Sequence, residues 1–231
     1  MGGVILRLTG CLMLGLGMPS GRGVGHQEIV IGQSGAGQLK AHIDFTMPVE
    51  LPVSPFPGFD GWADAMPGYA SAFVDEPAED LFQLPPGVNI VFILAAEDVG
   101  IHVWNDHGSA FLPVGGSFFL GMQYFDSHPV WNITNGVPGT SYALQMFIRD
   151  TTGTLTDSEP FSVVFTPHRP AAGDVDGNGA INAVDIGLFV GVLLGTDTTP
   201  VHVVASDANG DGVANGADMQ PLVTAWLAAQ P

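Results

Sequence analysis

The sequence predicts a protein of two parts: an all-β antiparallel sandwich, immunoglobulin-like or jelly-roll, followed by a small all-α module. The first part is predicted from short apolar segments with period-two alternation, separated by Gly, Asn and Asp turns. The second is predicted from a twelve-residue pattern that occurs twice, each copy running into an apolar helix. The expected boundaries are 1–25 for a signal peptide, 26–166 for the sandwich, 167–173 for a linker and 174–231 for the helical module.

The composition narrows the class of partner. Only 5 Lys and Arg stand against 23 Asp and Glu among 231 residues, and the net charge is −18. A surface this acidic repels phosphate backbones and anionic membranes, so no nucleic-acid partner is expected and cations are favoured.

The N-terminus has the pattern of a secretory signal. Residues 8–18 are almost continuously apolar, which is too short to span a bilayer, and small residues follow. We expect cleavage near Gly25 and an extracellular protein without a membrane span. Cys11 is the only cysteine. It completes a lipoprotein-like box, but the apolar run continues past it, which favours an ordinary signal.

The sandwich is predicted from eight strand segments. They lie at residues 28–32, 38–45, 88–96, 100–104, 117–125, 130–133, 141–149 and 160–166. Between the second and the third, residues 48–86 contain eight prolines together with several aromatic residues. This composition predicts a long irregular loop that folds over the sheet, because embedded aromatics argue against disorder.

The repeated pattern has the spacing of a calcium loop. Side-chain oxygens fall at positions 1, 3, 5, 9 and 12, a backbone carbonyl at 7 and a glycine at 6. Calcium takes six to eight oxygen ligands, and the glycine allows the sharp turn that wraps the chain around them. The expected ligands are Asp174, Asp176, Asn178, Ala180, Asn182 and Asp185 in the first loop and Asp207, Asn209, Asp211, Val213, Asn215 and Asp218 in the second.

A duplicated calcium loop that keeps only the exiting helix resembles the dockerin family, over about residues 173–231. No entering helix is predicted, because residues 167–173 and 200–206 carry no sufficiently long helical pattern. The resemblance implies two bound Ca²⁺ and a cohesin-type partner in polysaccharide-degrading assemblies. Residues 174–231 hold seven Asp and no Lys or Arg, so we expect this module to fold with its metal.

The resemblance also places partner recognition at loop positions 10 and 11. The expected contact residues are Ala183, Val184, Leu188, Phe189, Gly216 and Ala217. The basic residues that the family carries further along each helix are absent, so the contact is expected to be mainly apolar. The surface that packs on these residues is expected to belong either to a cohesin-like domain or to the chain's own β-sandwich.

Two further candidate sites lie in the sandwich. His102, Asp106 and His107 lie around one predicted strand end, and Asp126 and His128 lie at another. Two His and two Asp from these turns would suit zinc or another divalent ion. Trp62 and Tyr69, in the proline-rich segment, are the aromatics expected to be exposed, in a platform that also draws on Trp104, Tyr124 and Trp131. No catalytic residue is singled out. The alternatives to a docking protein are a surface structural protein whose calcium module serves only folding and packing, and a small carbohydrate-active enzyme.

Overall fold

The computed structural model describes residues 28–43, 48–105 and 107–229. Twelve strands lie in this part of the chain. They are β1 (Glu28–Gln33), β2 (Leu39–Ile43), β3 (Val49–Leu51), β4 (Trp62–Asp64), β5 (Gly68–Ser71), β6 (Ile90–Glu97), β7 (Ile101–Val103), β8 (Ser117–Gly121), β9 (Asp126–Ser127), β10 (Trp131–Ile133), β11 (Tyr142–Asp150) and β12 (Phe161–Pro167).

The strands form three sheets around one core, in the orders β2-β1-β5-β9, β4-β10-β7 and β3-β12-β11-β6-β8. Tyr69 of the first sheet packs on Phe92 of the third, with ring centroids 5.5 Å apart. Trp131 of the second packs on Phe165 of the third at 5.2 Å. The two smaller sheets therefore face the largest one, and the predicted β-sandwich is confirmed.

Most strand pairs are antiparallel, as the sequence predicts. Two pairs are parallel, namely β1 with β5 and β12 with β3. The period-two pattern holds along β11, where alternate residues from Tyr142 to Ile148 are buried and the residues between them are partly or fully exposed. This alternation is what places one face of the sheet against the core.

The prediction of an irregular loop over residues 48–86 is wrong in part. Strands β3, β4 and β5 lie within it, together with a 3₁₀ turn at Pro77–Glu79. Strand β4 pairs with β10, and β5 pairs with β1 and β9, so their partners are distant in the sequence. Strands of three or four residues are too short to show a period-two pattern, and only these long-range pairings define them.

Three helices follow the sandwich: α1 (Ala183–Leu193), α2 (Pro200–Ser206) and α3 (Met219–Ala228). Helices α1 and α3 are the two predicted exiting helices. Helix α2 contradicts the prediction that no helix precedes the second loop. Its valines have modest helix propensity, although Pro200 suits the first helical position. Val201 and Ala205 are buried, so tertiary packing rather than local propensity stabilises this helix.

The C-terminal segment, residues 168–229, has a small core of its own. Val175, Phe189 and Leu222 form it, and further apolar side chains pack around it, namely Ile186, Leu188, Leu193 and Ala208. Val175 and Ala208 both stand at position 2 of their loops, so each calcium loop contributes one apolar residue to this core.

The C-terminal segment also packs against the sandwich. Val201 of α2 belongs to the main core of the sandwich, and Val204 packs on it. The Trp62 Nε1–H donates to the His168 carbonyl at 2.8 Å. Gly177, in the first loop, is so close to Val53 that an added Cβ would lie 2.3 Å from Val53 Cγ2. The two parts of the chain therefore share an interface.

No helix in the described part of the chain is long and apolar enough to cross a bilayer. The predicted signal peptide, including Cys11, lies outside the described residues, as does Asp106.

Candidate calcium centre

The two loops share several hydrogen bonds at matching positions. At position 6, the Gly179 and Gly212 amides each donate to Oδ2 of the position 1 aspartate, both at 3.0 Å. At position 12, Asp185 Oδ1 accepts from the Asp176 amide and Asp218 Oδ1 from the Asn209 amide, at 3.2 and 2.9 Å. These bonds bring position 6 back to the first ligand position and join the third ligand position to the last in each loop.

The glycine at position 6 is required by the backbone. Gly179 and Gly212 have φ values of +85° and +91°, in the left-handed region that other residues rarely adopt. The turn at this position brings the amide back to the first aspartate. The glycine at position 6 of the repeated pattern therefore has the backbone conformation that a calcium loop requires there.

Positions 9 and 12 form a capping box in each loop. The Asn182 side chain accepts from the Val184 amide and Asp185 Oδ2 accepts from the Asn182 amide, both at 2.8 Å. Asn215 and Asp218 repeat the arrangement before α3. The carboxylate at position 12 therefore orders the loop and starts the helix at the same time, which is why each loop leads directly into a helix.

The first loop contains an unsatisfied carboxylate oxygen that a cation would suit. Asp174, Asp176 and Asp185 each place an oxygen within 4.8 Å of the others. Asp174 Oδ1 is buried and accepts no hydrogen bond. Burial and the neighbouring carboxylates of Asp185 and Asp176 raise the pKa of Asp174, in spite of the Gly179 hydrogen bond. A divalent cation among these oxygens would offset both the burial and the repulsion, so the residues fit calcium.

The second loop differs at its first residue. An Arg169 amino group donates to Asp207 Oδ2 and to the Asp207 carbonyl, both at 2.8 Å. Asp207 Oδ1 accepts from the Asp211 amide at 3.0 Å. Burial opposes ionisation of Asp207, but the Arg169 hydrogen bond and charge and the loop amides outweigh it and lower the pKa. Arg169 was not among the predicted site residues, although it is the only Lys or Arg in residues 150–231.

Both loops lie in the part of the chain that matches a known protein family. Residues 172–224 match the family model of the dockerin type I domain. The dockerin segment is defined here as these residues together with the rest of α3. The match confirms the resemblance and supports calcium as the cofactor and a cohesin-type domain as the general class of partner. No curated protein and no solved structure matches the chain.

The predicted contact positions of the dockerin segment divide into two groups. Ala183, Val184, Gly216 and Ala217 are exposed at the start of α1 and in the turn before α3. Phe189 is 2 % exposed and belongs to the small core, so its prediction as a contact residue is wrong. Leu188 is half-buried against the same core. An apolar residue one turn further along a helix faces the core as readily as a partner.

The predicted sugar platform is wrong for its two principal residues. Trp62 and Tyr69 are both fully buried. They lie on β4 and β5, and the Tyr69 hydroxyl contacts the Met146 sulfur at 3.1 Å inside the core. Among the other aromatics, Tyr124 is 57 % exposed and stacks nearly parallel to Phe73, which is 63 % exposed. The exposed, stacked aromatic pair is therefore Phe73 and Tyr124 rather than Trp62 and Tyr69.

The predicted histidine site is also not assembled as proposed. His102 stacks on Phe111 with ring centroids 4.1 Å apart and lies 3.5 Å from Glu97. His128 does pair with Asp126, with 2.8 Å between Nε2 and Oδ1. Among the described residues, no metal-type cluster joins His102 or His107 to His128. His102 lies on β7 of the three-stranded sheet, whereas His128 follows β9 of the four-stranded sheet.

Proposed function

We propose that the chain is an exported protein whose dockerin segment, loaded with two Ca²⁺, attaches the β-sandwich to a cohesin-type partner in an extracellular polysaccharide-degrading assembly. The observation that carries the proposal is the pair of loops with matching hydrogen bonds, one of which holds the buried, unsatisfied oxygen of Asp174. Export is supported by the apolar N-terminal run, and the assembly by the dockerin match.

Each loop would hold one calcium ion. Each loop supplies three aspartate carboxylates, two asparagine side chains and one backbone carbonyl. These six ligand groups are within the coordination range of Ca²⁺. The ligands of the first ion would be Asp174, Asp176, Asn178, Ala180, Asn182 and Asp185, and those of the second Asp207, Asn209, Asp211, Val213, Asn215 and Asp218.

The docking surface would be the exposed start of α1 and the turn before α3. Ala183 and Val184 stand at positions 10 and 11 of the first loop, and Gly216 and Ala217 at the same positions of the second. Further apolar side chains are exposed along the two helices, namely Val190, Leu194, Met219, Val223 and Leu227. Because residues 174–231 contain no Lys or Arg, the contact would be apolar with a polar rim.

The alternative cover for these helices is the chain's own sandwich. The observation that favours a packing role is the burial of Val201 in the sandwich core, together with the close approach of Gly177 to Val53. These contacts involve α2 and the first loop, whereas Val184 and Ala217 remain exposed. Packing on the sandwich and docking to a partner therefore use different surfaces, and we propose that both occur.

The docking proposal is tested by calcium-dependent pull-down of the full chain on type I cohesins. The double variant Val184→Asp/Ala217→Asp is expected to lose about 30-fold or more in affinity, because charges would enter an apolar contact. Val99→Asp is the matched control, since Val99 is 97 % exposed on the sandwich. Retention by no cohesin in the presence of calcium, or unchanged affinity of the double variant, would refute docking at this surface.

For the sandwich we propose that polysaccharide contact falls on Phe73 and Tyr124. Their rings are 6.3 Å apart and inclined by only 5°. Flat, exposed aromatic faces suit the C–H faces of sugar rings. Affinity electrophoresis against a polysaccharide panel should show retardation that Phe73→Ala/Tyr124→Ala removes and Val137→Ala does not. An unretarded wild-type chain would rule out this role, and reducing-sugar release from the panel would support the enzyme alternative instead.

A further inference from the structure

A cluster of possible metal ligands lies at the edge of the four-stranded sheet, remote in sequence from the calcium loops. Glu28, Asp126 and His128 each offer one ligand atom, and these atoms all lie within 4.8 Å of one another. Glu28 begins β1, whereas Asp126 begins β9 and His128 follows it. The three side chains reach one place because β5 lies between those two strands.

Gly68 of β5 explains how side chains two strands apart can meet. Glu28 is the parallel-register partner of Gly68. Strand β9 pairs Ser127 with Tyr69, so the next residue, His128, comes beside Gly68. A Cβ on Gly68 would lie 2.6 Å from His128 Cε1. The imidazole therefore lies over the glycine and extends toward Glu28, into space that any other residue would fill.

The histidine ring is oriented by an atom outside the cluster. His128 Nδ1 lies 3.2 Å from the Ala65 carbonyl oxygen, which can only accept a hydrogen bond. The Nδ1 atom therefore carries a proton, which leaves Nε2 as the ring nitrogen that is available to a metal ion. That atom faces Asp126 Oδ1 at 2.8 Å. A backbone carbonyl that fixes one ring nitrogen while the other meets the metal is the usual arrangement of metal-binding histidines.

We propose that Glu28, Asp126 and His128 form a binding site for a transition-metal dication of the Zn²⁺ class. The two carboxylates and a neutral imidazole carry a charge of about −2, which one such ion neutralises. The imidazole nitrogen selects zinc-like metals over calcium, which prefers oxygen ligands. The Asp126 side chain is 61 % exposed, so water can complete the coordination.

The proposal is tested by zinc titration calorimetry of the full chain in saturating calcium, so that the loops of the dockerin segment are already filled. One zinc-binding event per chain is expected, and His128→Gln and Asp126→Asn should each weaken it about tenfold or more. His168→Gln is the matched control, because His168 pairs with a single carboxylate, Glu50, at 3.0 Å. Thermal unfolding in calcium verifies that each variant is folded.

Three results would overturn the site. They are the absence of a stoichiometric zinc event in the wild-type chain, an unchanged affinity in His128→Gln, and an equal loss in His168→Gln, which would mean that zinc binds exposed histidines in general. A Co²⁺ complex of the wild-type chain should show visible d–d absorption that His128→Gln removes.

Discussion

The two calcium loops share several hydrogen bonds but differ in what surrounds the first aspartate. In the first loop Asp174 Oδ1 is buried without a donor, and its neighbours are carboxylates. In the second loop Asp207 is held by Arg169, which comes from the segment that joins the sandwich to the loops. A calcium ion would therefore be needed to balance the first loop, whereas the second is partly balanced by the protein itself.

A repeated motif therefore does not make two equivalent sites. Each loop offers three Asp and two Asn side chains at the same five positions, yet the positive charge of Arg169 beside the second loop lowers the negative potential there. We expect the first loop to bind calcium more tightly and to depend on it more for folding. The second loop should be weaker and more closely coupled to the sandwich.

The largest expected effect is that of removing calcium. If each Kd is about 1 µM, calcium at about 1 mM stabilises the fold by roughly 4 kcal/mol per site. Chelation should therefore abolish amide-exchange protection in α1 and α3, which depend on the small core around Phe189. Protection in α2 should fall less, because Val201 is buried in the sandwich core. Equal protection with and without calcium would contradict the expectation.

Asp150 in the sandwich provides a reference carboxylate that needs no metal. Burial opposes its ionisation, but hydrogen bonds from Thr152, Asn89 and Leu155 outweigh it and lower its pKa. Its contribution should be complete above the ordinary Asp pKa of about 3.9 and lost as pH falls through the lowered folded value. Asp150→Asn should cost about 2 kcal/mol at neutral pH. Denaturant unfolding of the sandwich against pH measures this, and an unaltered acid slope in the variant would be evidence against it.

The paired variants Asp174→Asn and Asp207→Asn should have opposite signs in calcium-free buffer. Replacing Asp174 removes a buried charge that is repelled by its neighbours, so the metal-free protein should gain about 1 kcal/mol. Replacing Asp207 breaks an ion pair whose Arg169 side chain is 46 % exposed, so the loss should be about 1 kcal/mol. Thermal unfolding of both variants under chelation gives the comparison. The same sign for both would show that the loops are electrostatically alike.

The smallest expected effect is that of Arg169→Gln on calcium affinity. Removing one positive charge beside the second loop should raise its affinity about fivefold, while the first loop is unchanged. Arg149→Gln is the control, because Arg149 pairs with Asp157 on the sandwich. Calcium titration of both variants makes the measurement, and a decrease in affinity would mean that Arg169 acts by orienting Asp207 rather than through its charge.

The features that the sequence predicted are those with local causes. The calcium loops depend on ligand spacing within twelve residues, and α1 and α3 follow from the capping boxes at Asn182 and Asn215. The longer strands of the sandwich carry their own period-two pattern. For the same reason the C-terminal segment was predicted more accurately than the sandwich.

The features that were missed depend on contacts between distant residues. The surrounding prolines predict that Trp62 and Tyr69 are exposed, but pairing of their strands with β10 and β1 buries them. Helix α2 forms because Val201 packs in the sandwich core, and local helix propensity does not include such a long-range contact. The meeting of Glu28 and His128 requires the strand order β1-β5-β9, and no local pattern in the sequence encodes that order.

The most direct test of the account is a calcium titration by calorimetry of the full chain, in parallel with Asp174→Asn and Asp207→Asn. We predict two calcium ions per chain with unequal affinities, the tighter event being lost in Asp174→Asn and the weaker in Asp207→Asn. Equal affinities, or loss of the tighter event in Asp207→Asn, would contradict the difference between the loops. The absence of stoichiometric calcium binding would contradict the assignment of both loops as calcium sites.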